Sequence, residues 1–189
     1  MRVIAGTAKS LRLKTIEGLA TRPTTDRIKE TLFNMLQPYV ADSAFLDLFS
    51  GSGGIGIEAL SRGAKKVYFV ENDKEAFACI SQNVKHTGFD KKAVLLRQDV
   101  LSALSVISEK EADIIFMDPP YASGYEKEVL RALVDKPYLT ENTLIVVEAA
   151  LETDFSFLDG PENLGYKIWK TKKYKTNKHV FIIKEGNTK

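Results

Sequence analysis

Cysteine and histidine are scarce: the 189 residues include one thiol, Cys79, and two imidazoles, His86 and His179. A lone cysteine excludes an intramolecular disulfide, and so few soft ligands exclude a cysteine-based zinc centre. The expectation is that no metal is held. Long hydrophobic runs are missing too. No stretch approaches the roughly 20 apolar residues of a bilayer-spanning helix, and the N-terminus lacks the apolar segment of a signal peptide. Repeats and low-complexity segments are absent. These absences predict a cytoplasmic globular protein, one domain with a small appendage and long enough to bury a full core. Nothing in the chain asks for more than a monomer. Cys79 falls inside a helical pattern and reads as a small core residue.

Strong net charge is also lacking, at +2, but the charges are unevenly placed. Arg2, Lys9, Arg12, Lys14, Arg22, Arg27 and Lys29 crowd the first thirty residues, and Lys167, Lys170, Lys172, Lys173, Lys175 and Lys178 lie near the other end. Two basic ends around a balanced centre suit one phosphate-facing surface if the fold joins them, or two solvated, lysine-guarded edges if it does not.

The chain opens with two short alternating segments, Arg2–Ala5 and Leu11–Lys14, around a glycine-containing connector. They predict a small basic β-hairpin over residues 1–22, outside the domain of residues 23–189. Thr24-Thr25-Asp26 supplies helix-start chemistry, Ile28, Leu32, Phe33 and Leu36 form one apolar face, and Pro38 is expected to close that helix. Arg27 and Lys29 in its first turn oppose the helix dipole unless they meet an anion. Strands and helices then alternate. Strands are predicted at 44–49, 66–71, 93–97, 113–117 and 143–148, with helices at 55–62, 75–85, 101–107 and 127–134 between them. That alternation demands a parallel, helix-covered sheet. The end differs: segments 166–174 and 179–184 have only a Thr176-Asn177 turn between them, which predicts an antiparallel hairpin.

Two motifs carry chemistry. The first strand runs into Asp47-Leu48-Phe49-Ser50-Gly51-Ser52-Gly53-Gly54-Ile55-Gly56, a G-x-G-x-x-G turn, and Glu71 lies twenty residues after Gly51 at the end of the second strand. This spacing suits an acid on the ribose of a nucleotide-bearing ligand, which leaves a dinucleotide-dependent oxidoreductase open. The fourth strand delivers Asp118-Pro119-Pro120-Tyr121 at its carboxyl end, where open α/β sheets bind ligands. A carboxylate and a backbone carbonyl can accept the two N–H bonds of an amino group conjugated with a ring. Such a nitrogen is a poor nucleophile, and these acceptors push it toward a tetrahedral geometry. The prolines keep the local backbone rigid and free of donors, and Tyr121 offers a stacking surface for a base.

Together these motifs resemble class I S-adenosylmethionine-dependent methyltransferases. The resemblance implies a Rossmann-like α/β fold with a seven-stranded, mostly parallel sheet ending in an antiparallel hairpin. It implies S-adenosyl-L-methionine bound by Asp47, Phe49, Gly51, Ser52, Gly53, Glu71 and Asn72, with Asp99 and Val100 toward the adenine; Asp99 also reads as a helix N-cap. Asp118-Pro119-Pro120-Tyr121 matches the motif of amino-group methyltransferases. Arg2-Val3-Ile4-Ala5-Gly6, Leu11-x-Leu13 and the run Arg22–Asn34 are similar to the RsmD family, bacterial enzymes that methylate the exocyclic amino nitrogen of a guanine in small-subunit ribosomal RNA. That similarity implies an RNA-binding N-terminal region, with Arg2, Lys9, Arg12, Arg22 and Arg27 as candidate contacts, and a substrate within a ribosomal subunit or assembly intermediate. Relatives often carry a Gly-Arg pair where this chain has Lys9-Ser10-Leu11-Arg12. A methyltransferase of the same class acting on adenine in DNA or on a protein amide, an oxidoreductase and a non-catalytic RNA-binding module are the alternatives.

Overall fold

The strands predicted from residue 44 onward all enter one sheet. The computed structural model describes residues 1–16, 26–120, 124–160 and 163–185. Strands β1 (Ala44–Leu48), β2 (Lys66–Val70), β3 (Ala93–Leu96), β4 (Ile114–Met117), β5 (Leu144–Ala150), β6 (Tyr166–Lys173) and β7 (Asn177–Lys184) take the order β3-β2-β1-β4-β5-β7-β6. The first five are parallel, and β7 is antiparallel to both β5 and β6. Chain direction across the sheet reverses between β1 and β4. At such a switch point the connecting loops part and leave a crevice.

Helices α1 (Asp26–Val40), α2 (Gly54–Ser61) and α3 (Lys74–Thr87) cover one face, and α4 (Val100–Val106) and α5 (Tyr125–Leu133) the other. The central strands are therefore apolar on both sides. In β1 and β4, Phe45, Ile114 and Phe116 face the first layer while Leu46, Leu48, Ile115 and Met117 face the second. Aspartates start two of the helices: Asp73 accepts from the Glu75 and Ala76 amides, and Asp99 from that of Ser102. Gly88, at φ +73°, ends α3.

From α1 onward the predicted elements fall within two residues of those observed, with two corrections, while the predicted N-terminal hairpin is reduced to one isolated bridge. Pro38 does not close α1, which continues to Val40. The Val40 side chain is fully buried, and packing of the last turn outweighs the backbone bond that proline cannot make. The β6–β7 turn comes one residue early: Asn177 belongs to β7, its buried amide donating to Glu148, and the Tyr174 N–H donates to its carbonyl at 2.8 Å.

The N-terminal segments run antiparallel and meet at a single bridge, Arg2 to Arg12. What holds them is α2. The Glu58 carboxylate, with no exposed surface, accepts the Ile4 and Ala5 amides at 2.8 and 3.0 Å, the Arg62 Nε at 2.8 Å, and lies 3.3 Å from the Lys29 ammonium. Lys29 also donates to the Arg2 carbonyl. The lysine that opposes the α1 dipole thus meets an internal carboxylate. Burial pushes its pKa down and Glu58 pulls it back up. Val3, Ala8 and Leu13 fill the layer beneath.

Removing one member of a buried ion pair strands the other. Glu58→Ala is expected to cost about 3–5 kcal/mol in urea unfolding, and Glu58→Ala with Lys29→Met to recover part of that loss. A single-variant loss below about 1 kcal/mol would contradict this role for Glu58.

Candidate active site at the switch point

After β1 the backbone turns through left-handed conformations at Phe49 (φ +66°), Gly51 (+55°) and Gly53 (+80°). The Ser50 amide donates to the Val70 carbonyl and the Gly53 amide to the Ser50 carbonyl, so the loop curls against the end of β2. Phe49 is not glycine, and its conformation costs on the order of 1–3 kcal/mol, a strain typical of ligand-binding turns. Its ring packs on Tyr125 with centroids 5.5 Å apart. Gly56 has a different reason to lack a side chain: a Cβ there would come within 2.3 Å of the Phe69 ring, so α2 could not lie this close to β2.

Two carboxylates pin the loop. Glu71 accepts the Gly51 amide at 2.8 Å with one oxygen and the Asp73 amide at 2.9 Å with the other, joining the loops after β1 and β2. Asp47 sits behind the loop, 1% exposed, accepting the Gly56 amide at 2.9 Å. Burial pushes its pKa up to about 7 against the help of that hydrogen bond, and Glu71 adds to the rise.

A cleft of about 490 Å³ opens in front. Phe49, Glu71, Asn72, Asp99 and Val100 of the predicted cofactor set line it, with Pro120 from the second motif. Asp47, Gly51, Ser52 and Gly53 do not line it; they shape it from behind. Sequence reasoning missed Val70, Asp73, Lys74 and Tyr125 in its wall, which Gln98, next to Asp99, also lines. Gln98 is the informative one, since its buried Nε2 has no hydrogen-bond partner among the described residues and an orphaned donor in a cleft wall calls for a ligand acceptor. Asp99 is both cleft wall and N-cap, and the Ser102 hydroxyl and amide hold its pKa down.

Asp118 lies one residue past β4 and two before Pro120 of the cleft wall. In the β4–β5 register Met117 pairs with Val147, so Asp118 and Glu148 are neighbours, on the face that Phe116 and Val146 occupy. Burial, then the charges of Glu148 and Asp47, push the Asp118 carboxyl well above the ordinary carboxylate range. Glu148 is held by a buried network: His179 Nε2 lies 3.0 Å away, and His179 Nδ1 lies 3.0 Å from the Tyr174 hydroxyl. Pro119 is buried and Pro120 exposed. Tyr121 lies outside the described residues, as does Arg22.

Of the other basic candidates, Arg2 pairs with Asp26 at 2.9 Å, and Lys9, Arg12 and Arg27 are exposed. Arg12 lines a second cleft with Lys14, Lys85 and His86. Asn83, also missed, ties this segment to the glycine loop. Its amide exchanges hydrogen bonds with the Lys14 backbone and donates to the Ser52 carbonyl at 2.9 Å.

Sheet order, glycine loop and terminal hairpin together define the class I methyltransferase fold. Solved structures agree. A precorrin-6y C5,15-methyltransferase of Geobacter metallireducens shares the fold at a TM-score of 0.70 with 17% identity, covering 93% of this chain and 95% of that one. A hypothetical protein of Thermus thermophilus reaches a TM-score of 0.79 with 26% identity, covering 96% and 98%. The family model described as "Conserved hypothetical protein 95" matches residues 1–183, and the chain belongs to this family, the RsmD family. It is 38% identical over 150 residues to the ribosomal RNA small subunit methyltransferase D of Haemophilus influenzae, covering 78% of each chain. To the protein of the same name in Escherichia coli K12 it is 36% identical over 154 residues, covering 80% of this chain and 76% of that one.

The raised Asp47 pKa sets a pH dependence in the ligand-free protein. Below about pH 4 both folded and unfolded states hold the proton and the group is neutral to stability. From pH 4 to 7 the unfolded state ionises while the folded state does not, so the wild type loses stability. Asp47→Asn removes this titration. Its stability relative to wild type is expected to improve with rising pH by up to about 4 kcal/mol and to level off above pH 7. Urea unfolding at pH 4.5, 6 and 7.5 measures it; a pH-independent difference would contradict the account.

Proposed function

We propose that the protein transfers a methyl group from S-adenosyl-L-methionine to the exocyclic amino nitrogen of a guanine in small-subunit ribosomal RNA. One observation carries the reading: a single cleft is lined by the nucleotide-type wall of Glu71, Asn72, Gln98, Asp99 and Val100 and by Pro120, two residues after Asp118 in the Asp118-Pro119-Pro120 motif. The relatives named ribosomal RNA small subunit methyltransferase D support the substrate class. In this reading residues 1–22 are an RNA-reading extension on a methyltransferase domain of residues 23–189. The protein acts in the cytoplasm as a monomer, on a ribosomal subunit or assembly intermediate.

The cleft suits the cofactor. Glu71 keeps lone pairs for ribose hydroxyls beyond the two amides it accepts. Gln98 Nε2 is a donor without a partner among the described residues, Val100 is apolar, and the turn at Gly51 has open space before it for the methionine part. When bound, S-adenosyl-L-methionine supplies an electrophilic methyl group on a sulfonium.

The chain's own residues do the rest. The guanine leaves its stack to reach the rim, where Tyr121 stacks against it. The Asp118 carboxylate and the Pro119 carbonyl accept the two N–H bonds of its amino group and direct the nitrogen lone pair into the cleft. On methylation the methyl–sulfur bond would break to leave a neutral thioether while the nitrogen became cationic, and the nitrogen's proton would pass to an Asp118 oxygen. The crowding that raises the Asp118 pKa makes it a better proton acceptor than a solvated carboxylate. Fixed position supplies most of the rate.

Asp118→Ala is expected to lower single-turnover methyl transfer by about 10²–10⁴-fold, with S-adenosyl-L-methionine affinity in equilibrium dialysis kept within about threefold. Wild-type transfer by this variant would contradict the assignment. Glu148→Gln removes a like charge beside Asp118. The acid limb of its pH–kcat profile is expected to move to lower pH, and an unmoved limb would deny Glu148 this influence.

A further inference from the structure

Residues 166–184 hold seven lysines and no acidic residue. Regular alternation along β6 would send Lys167, Trp169 and Thr171 to one face and Ile168, Lys170 and Lys172 to the other. A β-bulge breaks it. The pairing with β7 shifts between Ile168 and Lys170, so Lys167 opposes Ile183, Lys170 opposes Phe181 and Lys172 opposes His179. Ile183 and Phe181 belong to the α1–α3 side of the sheet, and His179 alternates with Phe181 along β7. Trp169 stays on that side, its ring edge-on to Phe181 with centroids 6.1 Å apart. The bulge therefore gathers three lysines and the only tryptophan on one face, and bulges beside active sites often re-aim side chains in this way.

The strip is accessible. Lys167, Lys170 and Lys172 are exposed, none is in an ion pair among the described residues, and Trp169 is 48% exposed. Lys178, by contrast, is engaged by the Leu151 and Thr153 carbonyls. The strip also lies level with the candidate active site. Asp118 neighbours Glu148, Glu148 pairs with His179, and His179 pairs with Lys172. Lys172 is thus three strand spacings, about 14 Å, from Asp118 along one row of the sheet.

We infer that this face of β6 binds the RNA strand flanking the target nucleotide, with Lys167, Lys170 and Lys172 on phosphates and Trp169 stacked on a neighbouring base. The inference rests on the RNA methyltransferase reading above and adds a second contact surface, apart from the basic N-terminal segment. Unpaired cations around one exposed aromatic ring match the chemistry of a single strand. Lysines that only guard an edge strand would need no bulge to collect them around a tryptophan.

The test uses the full chain with unmodified small-subunit ribosomal RNA. Lys167→Glu/Lys170→Glu/Lys172→Glu is expected to weaken RNA binding at least tenfold and to flatten the slope of log K against log salt by about 2. Trp169→Ala is expected to weaken it about fivefold or more, with Trp169→Phe restoring most of the loss. S-adenosyl-L-methionine affinity should be unchanged, and methyl transfer should show a raised KM for RNA with kcat largely kept. Lys172→Gln alone, a milder change on an exposed side chain, covers the event that the triple variant misfolds; its expected effect is a two- to fivefold loss of RNA affinity. Wild-type RNA affinity and salt slope in folded variants would overturn the inference, including the case in which the strip serves a protein partner. Wild-type protein that binds the RNA but transfers no methyl to it would overturn the reading of function while leaving the surface to be judged by the binding series.

Discussion

Like charges crowd the carboxyl end of this sheet, and the arrangement of the site follows from how the fold tolerates them. Asp47, Asp118 and Glu148 come from three adjacent strands and face one side. Buried carboxylates cannot all ionise freely without partners. Each is handled differently. Asp47 takes a backbone amide and a raised pKa. Glu148 takes Asn177 and His179 from the terminal hairpin. Asp118 is left next to Glu148 with its basicity raised. The antiparallel hairpin thus does more than close the sheet, because it delivers the groups that hold Glu148 in place.

The same logic runs through the other half of the site. Glu71 fastens two loops before any ligand arrives, so the cleft wall is preorganised. Glu58 does the corresponding work on the outer side of α2, where it anchors the N-terminal segment, and Asn83 connects that segment to the glycine loop. A basic segment is thereby tied to the turn that shapes the cleft. Cleft wall and basic segment are both served by short hydrogen bonds to backbone groups, which fix position without adding bulk.

Much of this was legible in the sequence because it is local. Buried parallel strands write themselves as apolar runs such as Ile114–Met117, and the glycine turn needs Gly53 at positive φ and Gly56 against Phe69. What could not be read depends on partners far along the chain. Glu58 sits in an apolar helix pattern, and its partners Ile4, Ala5 and Lys29 lie in distant segments, with only Arg62 one helical turn on. Gln98 is legible as a neighbour of Asp99, but that its amide has no partner among the described residues shows only in the assembled cleft wall. Pro38 misled because burial of Val40 overrides a local stop signal. The bulge in β6 leaves no mark in a lysine-rich strand, yet it decides which face the lysines take.

The central claim is that Asp118-Pro119-Pro120 and the adjoining cleft serve methyl transfer to a guanine amino group. The most direct test supplies S-adenosyl-L-methionine labelled in its methyl group, with small ribosomal subunits lacking the modification as acceptor, and identifies the labelled nucleoside by mass spectrometry. The account predicts label in N2-methylguanosine. Label confined to another nucleoside, or to protein, would contradict it.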